Sequence, residues 1–208
     1  RQSELETMSY IPPKDLARLM VDTGASKTTL STRDTLIRAY MAGAILALAA
    51  AFAVTVTVNT GNPLIGALLF PVGLCLLMHL GVDLLTGVFT LVPLAVIAKR
   101  PGCTTRTMLR VWGLVFVGNF AGAMTTATFM AIIMTTGFSH APDAVGQKLM
   151  DIGASRTLGY AEAGPGGMVT LFVRAVMCNW KVSAGVVAAP GTGRLQAQRV
   201  AVPDGLRC

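Results

Sequence analysis

The feature that most constrains this chain is a series of long stretches without charged side chains. Ala39–Val58 contains no Asp, Glu, Lys or Arg, and neither does Val111–Phe138. At about 1.5 Å per residue, the roughly 20 residues of the first stretch reach about 30 Å as an α-helix, which is the thickness of the hydrocarbon core of a bilayer. Both stretches therefore predict helices that span a membrane.

The composition also favours a lipid environment. Charged residues make up 13% of the chain and hydrophobic residues 53%, whereas a soluble domain carries about 25% charged residues. The net charge of +7 does not indicate a nucleic-acid partner. The basic residues lie between the apolar stretches, where the positive-inside rule places them, and not on one face of a soluble domain. We expect an all-α integral membrane protein whose main partner is the lipid bilayer.

The stretch Leu64–Ala98 is the most informative part of the sequence. Asp83 is its one charged residue before the basic loop. The stretch is too long for a single straight span of about 17–25 residues and too short for two spans with a loop. Gly81, Gly87 and Pro93 predict that the helix is broken, with an unwound segment between the two glycines. Unwound backbone at membrane depth requires protein or a water-filled path to satisfy its polar groups, and such breaks form substrate sites in many transporters.

A fourth span and two flanking segments complete the predicted organisation. In the fourth span, Arg174 and Lys181 each cost about 2.5–3.5 kcal/mol at a helix centre on insertion scales. The polar tail that follows Ala189 is expected to be the out-of-frame end of a truncated gene. The predicted organisation is a cytoplasmic amino-terminal segment 1–38, a membrane domain 39–189 with spans at 39–58, 64–98 (interrupted near 81–87), 111–138 and 168–189, and a polar tail 190–208 that lies outside the domain.

The basic residues predict the orientation of the chain in the membrane. Four of them follow the broken helix with no acidic residue among them: Lys99, Arg100, Arg106 and Arg110. The later loop 139–167 mixes both signs of charge. The positive-inside rule therefore places the amino terminus and the 99–110 loop in the cytoplasm.

No pattern in the sequence indicates catalysis, a metal site or a bound cofactor. The four cysteines form no Cys-x-x-Cys pair, and there is no Gly-x-Ser-x-Gly, phosphate-binding loop or His-Glu-x-x-His motif. His79 and Asp83 lie four residues apart, but two ligands are too few for a metal site. We interpret His79 as a packed, neutral histidine and expect no enzyme activity, no metal and no cofactor.

Three short segments occur in an order that resembles the formate/nitrite transporter family. They are Gly81-Val82-Asp83-Leu84-Leu85-Thr86-Gly87 in the broken helix, Gly118-Asn119-Phe120-Ala121-Gly122 in the third span and Cys178-Asn179-Trp180 in the fourth. The resemblance covers residues 10–189, approximately. Two positions depart from the family pattern, because Val82 is bulkier than the usual small residue and Lys181 replaces a hydrophobic residue.

This resemblance implies the first half of a six-span, inverted-repeat, aquaporin-like channel fold with a broken second helix, in a bacterial inner membrane. It implies transport of small monovalent anions such as formate or nitrite, and a homo-pentamer for the intact parent. The family's second broken helix, which bears a histidine, has no counterpart in the sequence, so we expect this form to be truncated and inactive. The alternatives are a non-functional truncated product and a fragment of an unrelated broken-helix transporter.

The resemblance also implies three groups of functional residues. The pore or substrate path is expected to involve Phe70, Leu74, Leu84, Thr86 and Asn179, with Thr86 as a hydroxyl donor in the interrupting loop. The structural residues of that loop are expected to be Asp83, Gly81 and Gly87. Close helix packing in the third span is expected at Gly118, Asn119 and Gly122.

Several of these residues also suit simpler roles. Phe70 and Leu74 lie one turn apart and suit ordinary helix packing. Thr86 suits an N-cap of the second helical piece, because threonine is a preferred capping residue. Asp83 suits a structural acceptor of backbone N–H bonds, and Asn119 suits an interhelical hydrogen-bond donor better than a pore group.

Overall fold

The computed structural model describes residues 11–188, and within this range every regular element is an α-helix. This confirms the all-α fold class. The helices are α1 Pro13–Thr28, α2 Thr32–Thr60, α3 Pro63–Leu69, α4 Pro71–Leu80, α5 Leu85–Ile97, α6 Thr105–Met134, α7 Ala144–Glu162 and α8 Gly164–Ala188. The predicted tail 190–208 and the first part of the 1–38 segment lie outside the described residues.

Four helical segments are long and apolar enough to cross a membrane: Thr32–Thr60, Pro63–Leu80, Thr105–Met134 and Gly164–Ala188. A shorter apolar helix, Leu85–Ile97, follows the second of them. Many of their large apolar side chains are exposed in the single chain, such as Trp180 at 72% and Phe172 at 69%. Exposure on this scale is rare in soluble monomers. The structure therefore fits a multi-pass integral membrane protein.

The ends of the helices follow from the local sequence. Proline occupies the first turn of α1, α3 and α4, where its missing N–H costs no helical hydrogen bond. Ser31 Oγ accepts a hydrogen bond from the Asp34 N–H at 3.0 Å, and Asp143 Oδ1 accepts one from the Gly146 N–H at 2.7 Å. These side chains cap the starts of α2 and α7. Gly61 ends α2 with a positive φ of 65°, a conformation that glycine adopts readily.

The stretch Leu64–Ala98 forms parts of three helices and not two. The additional division lies at Phe70, because Pro71 has no N–H to donate to the preceding turn. The predicted break follows α4, where Gly81 has a positive φ of 66° and ends the helix. Positions 81–84 are non-helical, and we call this segment the helix break.

Two residues that the sequence analysis treats as interruptions lie inside α5 instead. Gly87 is near the start of this helix and Pro93 is in its interior. The helix continues past Pro93 because the residues around it are packed: Val92 and Ala95 are both 0% exposed. This packing offsets the one backbone hydrogen bond that proline cannot make.

The chain forms two compact units, and the larger one contains Ser31–Leu85 and Trp112–Asn179. In this unit α2 and α6 approach each other closely. A Cβ atom added to Gly122 would lie 2.0 Å from the Tyr40 carbonyl oxygen, and one added to Gly43 would lie 2.0 Å from the Asn119 carbonyl oxygen. Any side chain at these two positions would force the helices apart, so glycine is what permits the contact.

The described part of the smaller unit consists of residues 11–30, 86–111 and 180–188. Here α1 lies against α5, because a Cβ atom added to Gly24 would lie 2.1 Å from the Leu91 carbonyl oxygen. Arg100, in the loop after α5, forms an ion pair with Asp22 of α1. The residues before the first span thus include an ordered helix that is attached to the basic loop.

Candidate functional site

The helix break between α4 and α5 is the centre of the candidate site. Asp83, in the middle of this segment, is 3% exposed. Because the backbone is unwound here, its polar groups cannot complete the usual helical hydrogen bonds and need other partners. A side chain from α6 supplies several of them.

Asn119 makes three hydrogen bonds to backbone groups around the helix break. Its Nδ2 donates to the Asp83 carbonyl at 2.9 Å and to the Ala39 carbonyl at 2.8 Å. Its Oδ1 accepts a hydrogen bond from the Leu85 N–H at 2.9 Å. A side-chain amide has two N–H donors and one carbonyl acceptor, so both kinds of group are used. The side chain joins α2, the helix break and the first residue of α5.

Thr86 lies in α5 and not in the helix break, because α5 begins at Leu85. It is therefore not the N-cap of α5, since that position is Leu84. The Thr86 Oγ1 is buried and has no hydrogen-bond partner among residues 11–188. A helical threonine commonly donates to the carbonyl four residues earlier, as Thr90 does to Thr86 at 2.9 Å. For Thr86 that earlier residue is Val82, which lies outside the helix.

The other residues predicted to line a path are placed as follows. Phe70 lies between α3 and α4 and is 40% exposed, whereas Leu74 and Leu84 are partly buried. Asn179 is exposed on α8, and its Nδ2 donates to the Ala175 carbonyl of its own helix at 2.9 Å. Within residues 11–188 no hydrogen bond joins Asn179 to the helix break. The structure brings Asp83 and Asn119 together but does not add Asn179 to them.

Three of the four predicted glycines lie where glycine is required. Gly81 has a positive φ. A Cβ atom added to Gly118 would lie 2.5 Å from the Ala39 Cβ, and Gly122 makes the close contact with α2 described above. Gly87 differs, because a Cβ atom there would meet nothing within 4 Å. Gly87 is therefore not a structural residue of the helix break.

A pair of hydroxyl groups joins α5 to α8, although no sequence motif indicates it. Thr90 Oγ1 lies 2.8 Å from Ser183 Oγ. Because Thr90 uses its one proton in the bond to the Thr86 carbonyl, Ser183 is the donor in this pair. The four-residue spacing of Thr86 and Thr90 is visible in the sequence, but nothing there connects Ser183 to them.

Arg174, which is unfavourable in a membrane span, has a polar partner on the preceding helix. Its Nη1 donates to the Tyr160 hydroxyl at 2.6 Å, and its guanidinium carbon lies 5.8 Å from the centre of the Tyr160 ring. A tyrosine thus orients this arginine toward α7 by a hydrogen bond and a cation–π contact.

Within residues 11–188, no group of three or more His, Cys, Asp or Glu side chains could hold a metal ion. His79 Nδ1 lies 2.7 Å from the Cys75 carbonyl oxygen of its own helix. Because a carbonyl oxygen can only accept, this nitrogen carries the proton.

A comparison with protein families matches residues 14–202 to formate/nitrite transporters. The match extends past Ala189, into the stretch that the sequence analysis expects to lie outside the domain. No solved structure matches the chain significantly.

Several named proteins are similar to the chain. An uncharacterized transporter, YrhG of Bacillus subtilis strain 168, is 25% identical over 189 residues, which are 86% of this chain and 65% of that protein. A probable formate transporter of Methanothermobacter thermautotrophicus is 30% identical over 196 residues, 87% of this chain and 70% of the relative. The formate channel FocA of Escherichia coli strain K12 is 33% identical over 119 residues, 54% of this chain and 40% of the channel.

These matches exclude one of the two alternatives that the sequence left open. The alternative of an unrelated broken-helix transporter is wrong, because one family accounts for residues on both sides of the helix break and in all four long apolar segments. The family consists of transport proteins and not of enzymes. The chain belongs to the formate/nitrite transporter family.

Proposed function

We propose that this chain contributes a transmembrane path for small monovalent anions such as formate or nitrite. The observation that carries the proposal is the Thr86 hydroxyl, which is buried beside the helix break and has no hydrogen-bond partner among residues 11–188. An unsatisfied buried polar group costs about 1–3 kcal/mol. A ligand that accepts the Thr86 proton therefore relieves this cost. Two of the relatives, a probable formate transporter and a formate channel, support the same substrate class.

The chemistry of a hydroxyl donor suits this class of substrate. A small anion that enters an apolar path loses its hydration, which costs several kcal/mol per ion. A buried hydroxyl donates to a carboxylate or nitrite oxygen and replaces part of that hydration. The same hydroxyl also donates to the carbonyl oxygen of the neutral acid, although that hydrogen bond is weaker than one to the anion.

The other path residues have complementary roles in the proposal. Phe70 and Leu74 form an apolar constriction that excludes hydrated ions, and Leu84 borders the path at the helix break. Asn179 is a polar lining residue. The exposure of Phe70 and Asn179 in the single chain supports their availability to a path. Asp83 is a structural acceptor inside the helix break, as its burial supports.

The proposed architecture is one half of a six-span, inverted-repeat, aquaporin-like fold that assembles as a homo-pentamer in a bacterial inner membrane. The amino-terminal segment 1–38 is cytoplasmic, and the membrane domain covers 39–189. The ion pair between Arg100 and Asp22 supports a common side for the amino-terminal helix and the basic 99–110 loop. The chain matches 65% and 70% of the length of the first two relatives.

Anion uptake into vesicles tests the proposed function. In one arm the full chain is reconstituted, and uptake of radiolabelled formate and nitrite is compared with that of empty vesicles. We expect no uptake in this arm, because the family's second broken helix has no counterpart in the sequence. In the second arm, residues 39–188 replace the aligned residues of the Methanothermobacter relative, and this chimera is assayed in the same way.

We expect the chimera to take up formate above the level of empty vesicles and to lose most of this uptake with Thr86→Val. A chimera that inserts and assembles normally but does not transport formate or nitrite contradicts the proposed path. Uptake by the full chain alone supports the path and refutes the prediction of inactivity.

A further inference from the structure

We infer that Asn119 is a positioning residue, which fixes the start of α5 and thereby places the Thr86 hydroxyl. This inference rests on the proposed function, because it gives the position of that hydroxyl its importance. It is carried by the three hydrogen bonds of the Asn119 side chain and by the packing that holds α6 in place.

The residue directly before α5 cannot cap this helix with its own side chain. The residue before the helix is Leu84, whose side chain has no acceptor. The first N–H groups of a helix have no partner within the helix, and in a membrane there is no water to supply one. Asn119 Oδ1 accepts the N–H of Leu85, the first residue of α5. The cap therefore comes from another helix.

The same amide also holds the segment immediately before α5. Its Nδ2 donates to the Asp83 carbonyl, so Asn119 contacts backbone groups on both sides of Leu84. These two bonds set where the helix break ends and the helix begins. Thr86 follows Leu85 directly. The Thr86 hydroxyl has no hydrogen-bond partner among residues 11–188, so its position depends on the backbone that carries it.

The amide itself is held in place by the contact between α2 and α6. Its Nδ2 donates to the Ala39 carbonyl of α2, and the backbone of Asn119 lies against Gly43, where no Cβ atom fits. Gly118, the preceding residue, also packs closely, because a Cβ atom added there would lie 2.5 Å from the Ala39 Cβ. The packing of α2 against α6 therefore holds Asn119 in place, and Asn119 in turn holds the helix break by its hydrogen bonds.

Each replacement of Asn119 removes a defined part of this arrangement. Asn119→Asp keeps a side-chain oxygen for the Leu85 N–H but loses at least one of the two donations to carbonyl groups, because a carboxyl group has at most one donor. Asn119→Leu loses all three bonds while keeping the branched shape of the side chain. Thr126→Val is a matched control, because Thr126 Oγ1 donates from the same helix α6 to the Ala44 carbonyl of α2 at 3.3 Å. Among residues 11–188, Thr126 forms no hydrogen bond with the helix break.

The test measures access to position 86 in the full chain, reconstituted in vesicles. Its four native cysteines are replaced by alanine, Thr86→Cys is introduced, and the rate of modification by a small methanethiosulfonate reagent is recorded. This measurement is made with Asn119 unchanged and with Asn119→Asp, Asn119→Leu and Thr126→Val. Each rate is then measured again with formate present.

We expect both Asn119 variants to raise the modification rate by about fivefold or more, the change in population that one lost hydrogen bond produces. Thr126→Val leaves the rate unchanged. Equal rates in all four proteins overturn the inference. If both Asn119 variants fail to insert while Thr126→Val inserts normally, Asn119 serves folding alone, and the positioning role is also overturned.

The formate arm separates this inference from the proposed function. Formate is expected to slow modification at position 86 when Asn119 is unchanged. An absence of protection, together with faster modification in the Asn119 variants, contradicts the anion path and leaves the positioning role supported.

Discussion

The Thr90 hydroxyl oxygen lies 2.8 Å from the Ser183 hydroxyl oxygen, and this bond joins two residues that are 93 positions apart in the sequence. Both residues belong to the smaller compact unit. The bond therefore attaches α5, which carries Thr86, to the end of α8.

This hydroxyl pair predicts a measurable coupling between two substitutions. We expect Thr90→Val and Ser183→Ala to cost less stability together than the sum of their separate effects. The coupling energy should be about 0.6 kcal/mol and at most about 1.7 kcal/mol, the range of hydrogen bonds between membrane helices. Thermal unfolding of the detergent-solubilised wild type, single variants and double variant gives this value. Strict additivity of the two changes contradicts the bond.

Gly81 and Gly87 are predicted to respond in opposite directions to the same substitution. Gly81→Ala should destabilise the chain by about 1–2 kcal/mol, because an alanine with a positive φ is strained. Gly87→Ala should stabilise it by roughly 0.5–1 kcal/mol, since alanine favours a helix and position 87 has open space. Unfolding in detergent measures both changes. Equal effects of the two substitutions would show that the helix break extends past Gly87.

The close contact of α2 with α6 predicts a second pair of opposite responses. Gly122→Ala should destabilise the chain by about 1–3 kcal/mol, because the added methyl overlaps the Tyr40 carbonyl oxygen. Gly113→Ala, in the same helix, is the control, since its Cβ atom meets nothing within 4 Å. We expect Gly113→Ala to be neutral or to stabilise by up to about 1 kcal/mol. A tolerated Gly122→Ala, measured by the same unfolding assay, argues against the contact.

Thr86→Val is predicted to lower formate uptake by the chimera about tenfold or more, the value of one hydrogen bond to a charged group. Thr86→Ser should restore most of the uptake, because it keeps the hydroxyl. Thr125→Val is the control, since Thr125 donates to the Ala121 carbonyl of its own helix at 2.9 Å and has no assigned role. Initial uptake rates, normalised to the amount of assembled protein, give the comparison. Unchanged uptake by Thr86→Val would remove Thr86 from the path.

The existence of the helix break could be predicted from the sequence, because the length of Leu64–Ala98 fits neither one span nor two. The start of the helix break at Gly81 could also be predicted, since glycine readily adopts the left-handed conformation that ends a helix. The division at Phe70 could have been predicted as well, because Pro71 marks the start of a helix. Proline is an ambiguous signal, however: Pro93 lies within α5, where packing outweighs the loss of one hydrogen bond.

The exact end of the helix break could not be predicted from local sequence. It depends on Asn119, which lies 34 residues after the N–H that it accepts. The sequence indicates that Asn119 makes a hydrogen bond between helices, but the choice of partner depends on how α2, α6 and the helix break pack within the larger unit. For the same reason Thr86 lies in the first turn of α5 and is not its cap. Nothing in the sequence indicates the role of Ser183.

The hydrogen-bond partners of Asn119 have a consequence for the order in which the protein matures. Ala39, Asp83 and Leu85 all precede Asn119 in the chain, so a ribosome has synthesised every partner before it reaches the asparagine. Once α6 has entered the bilayer, these three hydrogen bonds can form before α7 and α8 have been inserted. The first part of the protein to acquire its final backbone geometry during translation can therefore be the segment that the substrate is proposed to meet.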